Sequence, residues 1–421
     1  MDRTSGLLSP ETEGLPAEAR RSRFEAEVKK VIAHACANAP AVKALFDRTG
    51  ITPGDIRSLD DLAKVPVTPK AELVRMQAEN PPFGGLLAVP MDRVRRIFRS
   101  PGPISDPQGV DEGWGWEEAL FAAGFRKGDI AVNTFSYHMT PAGIMFDDSL
   151  GRLGCAAIPT GIGEREAQVD ILKTYCVSGY VGMASFLLQI GQKAIELGID
   201  PRRDLALRAA FTTAEPLPDS LRNAVEEMFG LLCRQGYGTA DCGCLAYECY
   251  HRGGMHLTSR AWVEIVDPTT GKPMADGEVG EVVVTLFNEA YPLIRFGTGD
   301  LSAIDASACP CGRKSPKLRG WLGRADQLVK VKGQFVHPGQ VQKAMADFPQ
   351  FAKYRAVVTR ADNKDILEIL IENPSAPEPG LDKALEKKFR DVLRIGAAIK
   401  FTAPGTLPAD GKILEDKRVW D

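Results

Sequence analysis

Near the end of the chain, LPADGK (407–412) sets Lys412 after a glycine turn, where its ammonium is a tethered cation; read alone, it is a solvated loop residue. Three upstream segments combine acids with small residues. In YPLIRFGTGD (291–300), Asp300 stands beside glycines that clear space, and a carboxylate accepting two hydroxyl hydrogen bonds is a usual way to hold a ribose. A β-turn capped by an acid fits that segment equally. In QGYGTAD (235–241), glycines including Gly238 flank Tyr237, so that backbone can approach a nucleotide while the ring stacks on it. Asp241, two residues beyond Thr239, is spaced to hold Mg²⁺ beside phosphates; a plain glycine turn is the competing reading. In FTTAEP (211–216), Ala214, Glu215 and Pro216 follow a mostly apolar run, which leaves backbone groups to meet a flat ligand at a sheet's carboxyl edge. The alternative is an ordinary strand-to-helix turn with Pro216 in the first helical turn. A fifth segment, GRAD (323–326) followed by LVKVKGQ (328–334), falls where composition suggests a domain joint.

A separate constellation has metal-ligand chemistry. Cys249 and His256, with six residues between them, are followed by CPCGR (309–313). Cys249, His256, Cys309 and Cys311 make a complete tetrahedral set on two expected loops, and a closed set implies a structural Zn²⁺. The Cys-x-Cys pair is tighter than the usual knuckle. Cys242 and Cys244 either compete or are small buried apolar residues.

Elements must position these groups. Phe24, Val28, Val31, Ile32 and Cys36 recur at helical spacing and predict an amphipathic helix over 20–37. Strand-like runs at 130–135, 155–159 and 179–183 alternate with helical stretches at 164–176 and 186–198, the pattern of α/β layering. Residues 261–266 and 280–286 read as sheet joined by tight turns. Beyond Gly323 come a strand at 328–331, a helix at 338–348, strands at 354–359 and 366–371, a helix at 381–393 and a strand at 399–402, a small α+β domain. The expected division is a disordered tail at 1–18, a large domain of layered sheets and helices at 19–324, and a small mobile domain at 325–421.

With 421 residues and 44% apolar content, the chain can build more than one core. Lys plus Arg total 52 against 55 Asp plus Glu, so there is no basic excess for nucleic acid. No apolar stretch is long enough for a membrane span or reads as a signal peptide. Nine cysteines without secretory features favour reduced thiols or metal, and a cytoplasmic setting.

Taken in order, the five segments are far more specific than each alone. With DIRSLDDLAKVPVTPKAEL, GRLGCAAIPTG, TTAEPLP, YPLIRFGTGDLSAI and GRADQLVKVKGQFVHPGQVQ, the chain from about residue 20 onward resembles the phenylacetate-CoA ligase branch of the adenylate-forming superfamily. The resemblance implies an ATP-dependent ligase that activates an aromatic carboxylate as its adenylate and passes it to coenzyme A, with ATP, Mg²⁺ and CoA required. Ala214, Glu215 and Pro216 would line adenine, with Tyr237 stacked on it and Gly238 and Thr239 beside it. Asp241 stands where the family has a Glu for Mg²⁺ and phosphate. Asp300 would bind the ribose and Arg324 the ribose or phosphate. Asp326 would be the hinge, and Lys412 would enter for adenylation. In the second pose Lys332 and Gly333 would face the acyl-adenylate beside a pantetheine tunnel. Tyr137, His138 and Phe146 are placed in the acyl pocket, although His138 also reads as a core histidine bonded to backbone. The partners implied are an aromatic acid and CoA, and a homodimer fits.

One segment departs from the family pattern. The family's Ser/Thr/Gly-rich phosphate loop ends in Lys, whereas this chain has RSPGPISDPQG (99–109). Its prolines remove donors, and Asp106 places negative charge near the expected phosphates. ATP would then bind more weakly or through Arg99, Ser100 and Ser105. Two alternatives follow: an adenylating enzyme that delivers to a carrier protein or amine, recognised by AMP formation without CoA dependence, and a non-catalytic paralogue that binds an aromatic acid or acyl-CoA without releasing AMP.

Overall fold

The computed structural model describes residues 2–100, 104–325, 329–331, 334–361, 364–373 and 378–418. Its architecture is mixed α/β. The chain divides into two compact units, Met1–Thr298 with Ala303–Gly320, and Gly299–Ser302 with Trp321–Asp421.

The first unit is built on a nine-stranded sheet. One half is parallel, in the order Ala156–Ile158, Ile130–Asn133, Gly179–Gly182, Ala209–Thr212, Leu232–Thr239. Gly179–Gly182 and Ala209–Thr212 are buried throughout, as strands covered on both faces must be. Helices Ala142–Leu153, Arg165–Thr174, Ala184–Glu196 and Asp219–Phe229 make the crossovers. In Ala184–Glu196 the buried residues Ala184, Leu187, Ile190, Gly191 and Ala194 recur every three or four positions, giving one apolar stripe toward the core. The other half of the sheet is antiparallel, through Gly243–Tyr247, Met255–Leu257, Lys317–Leu318 and Ile304–Asp305. A second sheet runs Thr68–Pro69, Phe296–Ser302, Gly280–Leu286, Ala261–Val266. Arg295, 1% exposed at the entry to Phe296–Ser302, reaches Glu264 and donates to the carbonyls of Val65 (2.7 Å) and Gly271 (2.8 Å).

The second unit has its own core. A four-stranded sheet in the order Ala398–Thr402, Lys364–Glu372, Tyr354–Ala361, Leu414–Asp416 is joined in that core by helices Pro338–Met345 and Leu381–Leu393. Leu385, Phe389 and Leu393 form the buried stripe of the latter. The expected small α+β layout is present. Val329–Val331 and Gln334–Val336 pair antiparallel.

Two expectations are corrected. The first 18 residues are not a structureless tail: Pro10–Glu13 is helical, Glu13 is buried, and Ala17 already begins the helix Ala17–Asn38. The Arg3 guanidinium grips both oxygens of Asp129 at 2.7 Å, and Arg126 donates to the carbonyls of Asp2 and Ser5 at 3.0 Å. Scattered charges that read as solvated instead meet buried partners far along the chain. The expected phosphate-loop segment 99–109 is also not loop throughout. Val94–Arg99 and Ser105–Gly109 pair as a hairpin, with Asp106 opposite Phe98.

Candidate active site

The strand Ala209–Thr212 ends in the FTTAEP segment. Thr213 Oγ1 donates to the Gly236 carbonyl at 2.8 Å, which ties this segment to QGYGTAD. Ala214 has φ +70°, a left-handed conformation that costs a non-glycine residue and points to a constrained turn. The Glu215 carboxylate accepts from Ser185 N (2.7 Å) and Ser185 Oγ (2.8 Å) at the start of Ala184–Glu196. Pro216 is not in a helical turn; the next helix, Asp219–Phe229, starts after Pro218 at its N-cap.

Tyr237 sits half-buried on Leu232–Thr239, and its hydroxyl bonds Thr298 Oγ1 at 3.2 Å. The flanking glycines have a packing reason not visible in the sequence. A Cβ on Gly236 would meet Phe211 at 2.5 Å and Trp116 at 2.9 Å, and one on Gly238 would meet the Gly243 carbonyl at 2.1 Å and Trp116 at 2.7 Å. They make room for an indole and a neighbouring strand. Thr239 Oγ1 accepts from Cys242 N at 3.1 Å, closing the turn that presents Asp241.

Asp241 is where charge concentrates. Its side chain is fully buried, Oδ2 accepts from Lys70 Nζ at 2.6 Å, and Oδ1 has no hydrogen-bond partner among the described residues. Asp106 is 2% exposed. Burial, with the Asp241 carboxylate beside it, pushes the Asp106 carboxyl up to about 8. Burial works against the Lys70 charge, but Asp241 outweighs it and holds the ammonium above its ordinary value. Ser100, expected to serve phosphate, is buried, with Oγ 3.5 Å from the Ile104 carbonyl. Lys70 was not singled out from the sequence, although it lies inside the DIRSLDDLAKVPVTPKAEL stretch.

In the second unit, Asp300 Oδ1 accepts from Arg324 Nη1 at 3.0 Å and Trp321 Nε1 at 3.1 Å. Trp321 was not among the expected residues. Lys412 is exposed, and its backbone N–H donates to Asp410 Oδ1 at 3.0 Å. Asp326, Lys332 and Gly333 lie outside the described residues.

The expected acyl-pocket residues separate. Tyr137 is half-buried, bonded to Asn133 (2.9 Å) and Asp147 (3.1 Å), and burial with the Asp147 charge pushes its phenol up. Phe146 is 2% exposed, stacked on Phe135 with centroids 5.2 Å apart and packed 4.8 Å from Trp116. It is a core residue. His138 is exposed, which corrects its reading as a core histidine.

Cys249, His256, Cys309 and Cys311 converge, with their ligand atoms all within 4.8 Å of one another. Cys249 Sγ lies 3.6 Å from Cys309 Sγ, and Cys311 Sγ lies 3.4 Å from His256 Nε2. Zn–S bonds near 2.3 Å in a tetrahedron require S···S of about 3.8 Å, so the set fits zinc. His256 Nδ1 is 3.3 Å from the Ser315 carbonyl and 3.4 Å from the Ser315 hydroxyl; a proton on Nδ1, given to the carbonyl, would leave the Nε2 lone pair for a metal. The histidine is on the strand Met255–Leu257, not on a loop. Cys242 and Cys244 are fully buried apolar fillers apart from this set.

Among the described residues, no helix is long and apolar enough to cross a membrane. Residues 333–421 match the family model of the AMP-binding enzyme C-terminal domain. The phenylacetate-coenzyme A ligase of Thermus thermophilus is 31% identical over 99% of both chains. That of Pseudomonas putida is 29% identical over 99% of this chain and 98% of its own. Among solved structures, 2-hydroxyisobutyryl-CoA ligase in an open conformation, with 2-HIB-AMP and CoA, superposes with a TM-score of 0.87 at 23% identity, covering 98% of this chain and 94% of that one.

Proposed function

Because the chain belongs to the phenylacetate-coenzyme A ligase family, whose members are AMP-forming acid–thiol ligases, we propose that it activates an aromatic carboxylate of the phenylacetate or benzoate class. ATP and CoA are its co-substrates. The observation that carries the reading is full-length likeness to two phenylacetate-CoA ligases, together with an Asp241 carboxylate turned toward the Lys70 and Asp106 side chains at the end of the QGYGTAD turn.

Ala214 to Pro216, Tyr237, Gly238 and Thr239 form the adenine edge, and Asp300 and Arg324 hold the ribose. Asp241 faces the phosphates and can hold the Mg²⁺ that neutralises them. Lys412 supplies positive charge as the carboxylate attacks the α-phosphorus, which is electrostatic and positional catalysis. Residues 325–421 act as a mobile domain hinged at Asp326, with Lys332 and Gly333 serving the CoA step. Tyr137 and His138 contribute to acyl recognition, and Phe146 supports them from the core. Cys249, His256, Cys309 and Cys311 hold a structural Zn²⁺ that fixes the 309–311 loop. A cytoplasmic setting is part of this reading, and a homodimer fits it.

Mixing the purified protein with Mg-ATP, CoA and a panel of aryl carboxylates, and reading AMP and acyl-CoA by mass spectrometry, tests this. An ATP-dependent thioester is expected. Binding of an acid with neither AMP nor thioester formed would return the protein to a non-catalytic role.

A further inference from the structure

Lys70 reaches the candidate site from outside the five nucleotide-like motifs. The strand Thr68–Pro69 pairs in parallel with Phe296–Ser302, setting Thr68 opposite Phe296 and Pro69 opposite Gly297, and Lys70 follows as the first residue of the helix Lys70–Glu79. The lysine is thereby delivered beside the strand that leads to Asp300. Its Nζ lies 2.6 Å from Asp241 Oδ2, and the two side chains differ in access: Lys70 is 29% exposed and Asp241 0%. The carboxylate is sealed from solvent, while the lysine side chain keeps partial access to it.

The second buried acid makes this arrangement informative. Asp106 adds a carboxyl next to Asp241; residues 92–113 contain no lysine, and of their arginines Arg93, Arg95 and Arg96 are engaged by Asp111 and Asp148. With the Asp106 carboxyl held largely protonated near neutral pH, Lys70 and Asp241 are the charged pair at this point, and the Lys70 ammonium is the member of the pair that can attract a polyphosphate.

We propose that Lys70 is a nucleotide-binding residue of this ligase, turning from Asp241 to the β- and γ-phosphate oxygens when ATP enters. Asp241, released from the ion pair, is then available to the cation that accompanies ATP. This rests on the reading that Asp241 faces the phosphates.

The test compares wild type with Lys70→Ala, Lys70→Arg and the double variant Lys70→Ala with Asp106→Lys, which returns an ammonium from the neighbouring hairpin and removes an acid. Three readouts are taken: calorimetric binding of a non-hydrolysable ATP analogue, the KM for ATP in acyl-dependent ATP–pyrophosphate exchange, and thioester formation from preformed acyl-adenylate and CoA. Lys70→Ala is expected to weaken analogue binding and raise the KM by about 10- to 100-fold, as for a lost charge-assisted phosphate contact, with a much smaller effect on the step from acyl-adenylate. Lys70→Arg should recover part of the loss and the double variant more of it.

The proposal is overturned if Lys70→Ala binds the analogue within twofold of wild type. It is equally overturned if both half-reactions fall together with the melting temperature and the double variant recovers neither, which marks a structural ion pair. If wild type itself makes no adenylate or thioester, the ligase reading fails, while analogue binding still decides the role of Lys70.

Discussion

Asp300 carries two donors on one oxygen, from Arg324 and Trp321. Under the proposed role, a ribose hydroxyl meeting this carboxylate would find it already oriented, which lowers the entropy lost on binding. Asp300→Ala is expected to raise the KM for ATP by about 10- to 100-fold in pyrophosphate exchange, by loss of charged hydrogen bonds. Lys412 is exposed, so its removal should leave the fold intact. Lys412→Ala is expected to slow acyl-adenylate formation on the order of 10²-fold or more, with an unchanged melting temperature. An adenylation rate within threefold of wild type would remove Lys412 from the chemistry. Gly238 is constrained by shape: a Cβ there meets the Gly243 carbonyl at 2.1 Å and the Trp116 ring at 2.7 Å. Gly238→Ala should cost about 1–3 kcal/mol in denaturant unfolding, as overpacking does.

At the scale of elements, the N-terminal segment and the metal set act on the same part of the first unit. Arg313, two residues past Cys311, pairs with Glu13 at 2.6 Å, both groups being almost wholly buried, and Lys314 N donates to the Glu13 carbonyl at 2.9 Å. Chelation of the proposed zinc, or Cys309→Ser with Cys311→Ser, should release one metal equivalent by mass spectrometry and lower the melting temperature, because structural metal binding is folding energy. The same segment docks through Arg3 on Asp129. Burial opposes ionisation of Asp129, but bonds from Arg3, the Arg126 N–H and Ser178 outweigh it and hold the carboxyl below its ordinary range. A depressed folded pKa contributes stability that is complete above the unfolded value, about 4, and is lost as pH falls through the lower folded value. Limited proteolysis within residues 4–9 should therefore rise in wild type only under acid, and already at neutral pH in Arg3→Ala. Equal resistance of both proteins at neutral pH would show that the contact does not hold the segment.

At the scale of the molecule, the two units have separate apolar cores: one group around Val341, Ile369, Leu385 and Phe389, the others spread through the nine-stranded and second sheets. Phe389→Ala is expected to destabilise the second unit by about 3–5 kcal/mol. Calorimetry should show one transition moving, while metal removal moves the other. A single transition shifted by both changes would mean that the units unfold as one. What the sequence alone determined was periodicity and local chemistry. Alternating strand and helix runs established α/β layering, and ordered motifs established the family, because both depend on residues near in sequence. The Cys249, His256, Cys309 and Cys311 set was legible from donor type alone, since few side chains bind zinc. Tertiary structure decided everything that depends on which distant residue comes to rest nearby. Lys70 reached Asp241 across 171 positions, Phe146 went to the core while His138 went to solvent, and the N-terminal charges found Asp129 and Arg313. The glycines beside Tyr237 were required by the Trp116 ring, a contact with no local signal. The physical reason is that burial and ion pairing are set by the partner a side chain meets, and that partner is fixed only when sheets and helices pack.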